Sequence, residues 1–311
     1  MLGAVKDTER RRRKMSVRLI EREYGNYGKC LFLENDAVTL GVTAEVGPRI
    51  IYFALKGLPN VLFEDTERQF IEDVGEFGSW YAYGGHRLWT APETKPETYF
   101  PDNEEIRYAF QNGKLTVSPA SESFGRKISV EIELDEHKAE VRLSHVVDNI
   151  SDKPIKLAPW SVTGLAAGGV CRIPLCTRKS GYLPNRVMSL WDYSDIADPR
   201  LRMTDRDVRL RQDRYIKKAF KAGFNVEDGF AAYAVNGQIF VKQFGFEDTD
   251  YPDYCCNFEV YTNDLFLECE ALGELREYQP HEKATLKENW RLFEDPDGSE
   301  PDLDKLKALL N

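Results

Sequence analysis

Residues 80–93, WYAYGGHRLWTAPE, gather two of the chain's five tryptophans, one of its four histidines, an arginine and a glutamate around a Gly-Gly pair. A packed strand alternates apolar and polar residues, and a plain loop carries Ser, Asn and Asp, so this stretch fits neither. His86 follows Gly84-Gly85, which permit an unusual backbone path, and precedes Arg87 and Trp89. The three are expected to project together from a loop at the mouth of a sheet, with Tyr83 beside them. A histidine titrates near neutrality and can exchange a proton with a sugar oxygen. The plainer alternative is an aromatic-rich loop that plugs the end of a β-sandwich.

A second candidate lies in the strand Leu265 to Ala271. Strand parity places Leu265, Leu267 and Cys269 on a core-facing side, and Phe266, Glu268 and Glu270 on the other. Two neighbouring carboxylates can raise each other's pKa and supply a general base, and an aromatic face suits a sugar ring. The competing reading is a solvated strand face with two ordinary charges.

The remaining candidates sort by context. His137 and His281 sit in polar turns and read as solvated connectors, while His145 is in phase with Val141, Leu143 and Val147 and reads as a satisfied buried histidine. Trp160, after a proline and before a small-residue stretch, is a candidate wall of a cleft. Arg49, after Gly-Pro and flanked by apolar residues, needs a partner or a pocket opening, and a structural ion pair is the first expectation. The chain has no Gly-x-Ser-x-Gly elbow, Walker loop or Gly-x-Gly-x-x-Gly fingerprint, and its six cysteines match no zinc spacing. No cofactor and no metal are expected.

What must position these residues is a β scaffold. Turn dipeptides join short β-favouring runs at Asn35-Asp36, Asn112-Gly113 and Asn236-Gly237, with longer hairpins around Asp135–Lys138 and Asn263-Asp264. Helical periodicity is local, near Asp205–Lys221 and in the C-terminal DLDKLKALLN. Antiparallel hairpins without alternating helices predict an all-β sandwich of two large sheets. The expected organisation is a basic tail over 1–15, with Met15 as an alternative start, one β domain over 16–295, and a C-terminal tail with a short helix over 296–311. A formal charge of −10 argues against a nucleic-acid partner despite the Arg10–Lys14 run. No apolar run is long enough for a membrane span and no secretory h-region is present, which makes a cytoplasmic location the expectation. Scattered cysteines without a signal peptide are expected to be reduced and mostly buried.

In order and motif the chain resembles the galactose mutarotase-like superfamily, which includes the aldose 1-epimerases. EVGPRIIYFALKG is similar to the family's Gly-Arg-Ile strand, and YGGHRLW stands at its first histidine motif. VVDNISDKPIKLAPWSVTGL resembles its Asn-rich turn and second-histidine segment, and FEVYTNDLFLECEALGELREYQPHEKATLKENWRLFE its glutamate strand and closing hairpin. The resemblance runs from about Arg18 to Glu294. It implies a β-supersandwich with a sugar site on the concave face, a catalytic base at Glu268, and a sugar-binding or acid histidine at His86. Arg87, Trp89, Trp160, Glu270, Arg49 and Tyr83 are the implied substrate contacts. Where the family has its second histidine this chain has Trp160-Ser161, and an indole cannot shuttle a proton at neutral pH. Three readings follow: a sugar epimerase, a non-catalytic carbohydrate-binding protein on the same scaffold, or an enzyme acting on acidic sugars through an Arg87–Arg49 clamp on the substrate carboxylate. The expected partner is a small-molecule carbohydrate; the sequence sets no oligomeric state.

Overall fold

Two tight hairpins are set by paired left-handed residues. Asn112-Gly113 (φ 54° and 78°) joins the strands Arg107–Gln111 and Lys114–Ser118, and Asn236-Gly237 (φ 54° and 71°) joins Phe230–Val235 and Gln238–Gln243. Positive φ at both central positions gives the turn whose twist matches the sheet's. In the three longer turns a side chain organises the backbone. Asn35 Oδ1 accepts from the amides of Ala37 and Val38, Asp135 Oδ1 from those of His137 and Lys138, and Asn263 Oδ1 from those of Leu265 and Phe266. All five expected hairpins form.

The computed structural model describes residues 17–296, 298 and 302–310; the segment 1–15 lies outside them. The hairpins assemble into an eleven-stranded and a ten-stranded antiparallel sheet. The sheets pack face to face over one continuous apolar core, whose aromatic centre is Phe53, Phe240 and Trp290 with ring centroids 5.2 to 6.3 Å apart. The fold is the expected all-β sandwich.

One local expectation fails. Asp205–Lys221 is not helical: Asp207–Arg211 is a strand between Val170–Pro174 and Leu201–Met203, and Phe220–Phe224 is a strand beside Phe258–Thr262. DVRLR and FKAGF alternate with period two, and burying Val208, Leu210, Phe220, Ala222 and Phe224 between the sheets outweighs a weak helical pattern. The C-terminal helix does form, over Leu303–Leu310, and it covers part of the outer face of the ten-stranded sheet. Leu303 and Leu306 pack on Phe230, Ala232, Ile239 and Val241, and the ion pairs Arg206–Asp304 (2.6 Å) and Lys307–Asp228 (2.8 Å) flank them.

Because this contact is small and separate from the main core, Leu306→Asp is expected to release the helix without unfolding the sandwich. Limited proteolysis should then trim the C-terminus while the main melting transition moves by only a few degrees. An unchanged digestion pattern would show that Leu306 does not hold the helix down.

Candidate functional site

Three neighbouring strands of the eleven-stranded sheet carry most of the candidate residues: His86–Ala91, Ile155–Leu165 and Leu267–Leu272. Their register sets Trp89 beside Trp160, Arg87 and Glu270 on either side of Val162, and Glu268 beside Gly164. Alternation then divides the residues between the two faces of the sheet. Leu88, Leu267, Cys269 and Ala271 belong to the core, so Arg87, Trp89, Trp160, Glu268 and Glu270 share the opposite, outer face.

His86 has the parity of Leu88, and it points inward. It is 1% exposed, and its ring meets Trp290 edge-on at 4.7 Å between centroids. The expectation that His86 faces Glu268 across one cleft is therefore corrected, because the sheet itself separates them. The hydrogen bonds fix both imidazoles by elimination. His145 Nδ1 lies 3.0 Å from the Leu286 carbonyl, which can only accept, so Nδ1 carries the proton. A neutral His145 then accepts at Nε2 from His86 Nε2 at 2.7 Å, and His86 Nδ1 accepts from the Thr163 hydroxyl at 2.9 Å. Thr163 Oγ1 in turn accepts from Lys242 Nζ at 2.9 Å. Lys242 also donates to Ser161 Oγ and to the Cys269 carbonyl, each at 3.0 Å, and lies 3.3 Å from Glu288 Oε1. Glu288 further accepts from Trp290 Nε1 at 2.7 Å and from the Ser161 hydroxyl. Burial, then His145 and Lys242, holds His86 well below the usual histidine range; burial also lowers His145, against the pull of Glu288. His86, His145 and Glu288 bring ligand atoms within 4.8 Å of one another. Lys242 Nζ stands beside this group, 3.3 Å from Glu288, and the His86–His145 contact is a hydrogen bond of 2.7 Å.

The outer face is a different environment. Arg87 Nη2 pairs with Glu268 Oε1 at 3.1 Å, and the guanidinium stacks on Trp89 at 3.9 Å and stands 5.3 Å from Trp80. Beside it, Lys221 Nζ lies 2.7 Å from Glu259 and 3.0 Å from Glu270, over the rings of Trp160 (4.7 Å) and Trp191 (4.6 Å). Trp160 Nε1 donates to Glu270 Oε2 at 2.9 Å. Burial raises the Glu268 carboxyl; Arg87 opposes this and Glu270 reinforces it. Burial drives Glu259 well above the carboxylate range, with Lys221 opposing and Glu270 adding to the effect. For Lys221, burial favours the neutral amine, but Glu270 and Glu259 outweigh it and hold the ammonium charged. Tyr261, the cross-strand neighbour of Glu268, is pushed to about 12 by burial and then by that carboxylate. Arg87 Nε, Glu259 Oε1 and Glu270 Oε1 are buried with no hydrogen-bond partner among the described residues.

Two other expected contacts leave the site. Arg49 is 2% exposed and bonds both Asp102 carboxylate oxygens and the carbonyls of Pro48, Ala82 and Tyr81. It is the structural ion pair first expected of it and has no donor left for a substrate. Tyr83 is buried against Tyr27, Phe32 and Ile51 and donates to Asn103 at 2.7 Å. Its left-handed backbone (φ 56°) turns it away from the strand that carries Arg87. The same cluster also includes Glu259, Tyr261, Lys221, Trp80 and Trp191, which the sequence reading did not single out. The parity argument applied to FEVYT would have placed Glu259 and Tyr261 on the face of Glu268. Lys221 was hidden by the helix expected there.

No family model matches this sequence, and no curated protein matches it. Solved structures do match. A TPR-domain containing protein from Parabacteroides distasonis aligns over 94% of this chain at 14% identity and a TM-score of 0.60; this chain spans 55% of its length. A galactose mutarotase-like protein from Lactobacillus casei aligns over 85% of this chain and 100% of its own, at 11% identity and a TM-score of 0.55. The fold is galactose mutarotase-like. A provisionally assigned aldose 1-epimerase from Escherichia coli K12 also aligns, over 85% of this chain and 99% of its own, at 11% identity and a TM-score of 0.54. At these identities the likeness is one of fold. No helix among the described residues is long and apolar enough to cross a membrane, and all six cysteines are free, with Cys255 exposed and the rest buried.

The buried imidazoles make stability depend on pH with a definite sign. Both histidines are held below their unfolded value of about 6.5, so below that pH the unfolded chain takes up protons that the folded chain does not. Stability is thus full above about 6.5 and falls as the pH drops, by up to roughly 1.4 kcal/mol per pH unit for each proton. Urea unfolding between pH 7.5 and 5 should show this slope, and His86→Gln should reduce it by about one proton. An equal slope in wild type and variant would mean that His86 is protonated in the folded state.

Proposed function

We infer that the protein binds a carbohydrate on the outer face of the eleven-stranded sheet. The observation that carries this reading is the Arg87–Glu268 pair with its guanidinium stacked on Trp89. A planar array of donors and acceptors beside an aromatic wall is what a sugar ring, with its hydroxyl edge and C–H face, can use. Glu270, held by Trp160 and Lys221, extends the polar floor.

A second reading is supported by the raised Glu268 carboxyl. In a sugar epimerase acting at the anomeric carbon, Glu268 takes the proton from the anomeric hydroxyl and a second group protonates the ring oxygen. His86 is on the wrong side of the sheet for that role. Tyr261, across the ladder from Glu268, is the donor in this reading. An enzyme for acidic sugars has less support, because Arg49 is fully engaged by Asp102 and three backbone carbonyls and so does not form the expected clamp with Arg87.

Calorimetry against neutral monosaccharides, uronates and sugar phosphates separates these possibilities. Neutral sugars are expected to bind and anionic ones to bind at least tenfold more weakly; Trp89→Ala should cost tenfold or more in affinity. If anomers interconvert, Glu268→Gln should lower turnover by about a hundredfold or more while binding stays nearly intact. Silence of the whole panel would overturn the reading.

A further inference from the structure

Beside the cleft, at the end of the strand His86–Ala91, lies a cavity of about 460 Å³. This is within the range of roughly 300–1,000 Å³ typical of small-molecule sites. Trp89 and Trp80 line it, and both also flank Arg87 in the cleft. The aromatic rings run without a break from one site to the other. Trp160 to Trp89 is 5.3 Å between centroids, Trp89 to Trp80 is 5.2 Å, and Tyr99 lies 5.2 and 5.3 Å from the last two.

At the far side of the cavity stands a second aromatic group. Phe100 and Phe77 line it, and Phe124 joins them in a triangle of edge-to-face rings with centroids 5.4 to 6.2 Å apart. Phe77 and Phe124 are 42% and 37% exposed. Phe124 holds that position from a left-handed backbone (φ 51°), which a bulky residue adopts at a cost. Three rings held half in water at the mouth of a cavity are poor scaffold and a good platform for the C–H face of a sugar.

The polar groups of the cavity are arranged for a neutral ligand. Arg126 pairs with Glu97 at 2.6 Å and donates to Thr90 at 3.1 Å, and Arg49 is neutralised by Asp102. The Nε of Arg126 is buried with no hydrogen-bond partner among the described residues. A planar charge pair with an unused donor between aromatic walls repeats the chemistry of Arg87 and Glu268.

We propose that this cavity is a second carbohydrate subsite, and that the ligand of the cleft is an oligosaccharide or glycoside of at least two rings. The inference rests on the cleft binding sugar and adds that the chain of sugar units continues past Trp89. Calorimetry with three series tests it: glucose, cellobiose and cellotriose; glucose, maltose and maltotriose; galactose and lactose. In at least one series, affinity should rise tenfold or more on adding the second or third ring. Phe100→Ala should cancel that gain and leave monosaccharide affinity within about twofold. Ala120→Trp, which fills the cavity from another loop, should do the same and serves if Phe100→Ala does not fold. Monosaccharide binding with flat affinity along every series, or a gain that survives both cavity substitutions, overturns the second subsite and leaves the cleft standing. Silence of every sugar overturns both.

Discussion

Lys242 reaches from the ten-stranded sheet across the interior and donates to Ser161 Oγ, Thr163 Oγ1 and the Cys269 carbonyl of the eleven-stranded sheet. A fully buried ammonium is costly unless every donor is satisfied and a counter-charge lies close, and Glu288 at 3.3 Å supplies that charge. The two strands it grips from inside, Ile155–Leu165 and Leu267–Leu272, are those that present Trp160, Glu268 and Glu270 outside. The ion pair thus sets the spacing of the cleft from beneath. Its geometry also orders the two histidines, because the Thr163 hydroxyl that accepts from Lys242 must donate to His86.

The outer face meets the same problem of buried charge with a different balance. Glu259, Glu268 and Glu270 outnumber Arg87 and Lys221 there. Burial and the neighbouring Glu270 push the Glu259 carboxyl upward, and Lys221 opposes them. Each cation is also pressed against indole rings.

A galactose mutarotase-like scaffold does not by itself confer a mutarotase, since function resides in the site. Here the histidine that stands in the GGHRLW motif belongs to the interior, and Arg87, the next residue, lies on the outer face. The aromatic track from Trp160 through Trp89 to Trp80 is the more distinctive feature of the face.

Turn chemistry and strand alternation are local, and local residues determined them. Asn-Gly pairs and Asx turns placed the hairpins, and period-two patterning put Leu267 and Cys269 inside with Glu268 and Glu270 outside. His145 was readable as buried for the same reason. The face of His86 depended on where a strand begins after Gly84-Gly85, and no local pattern states that; pairing with Ile155–Leu165 decided it. Arg49 could be assigned to an ion pair from its apolar neighbours, but Asp102 as the partner lies 53 residues away. Lys221 was misread as helical, because burial of Phe220, Ala222 and Phe224 between two sheets is a tertiary reward that intrinsic propensity does not contain. The sequence alone determined which residues share a face of a strand. Only the packing of one sheet on the other decided which face became the core, because burial is a property of the assembled sandwich and not of any strand within it.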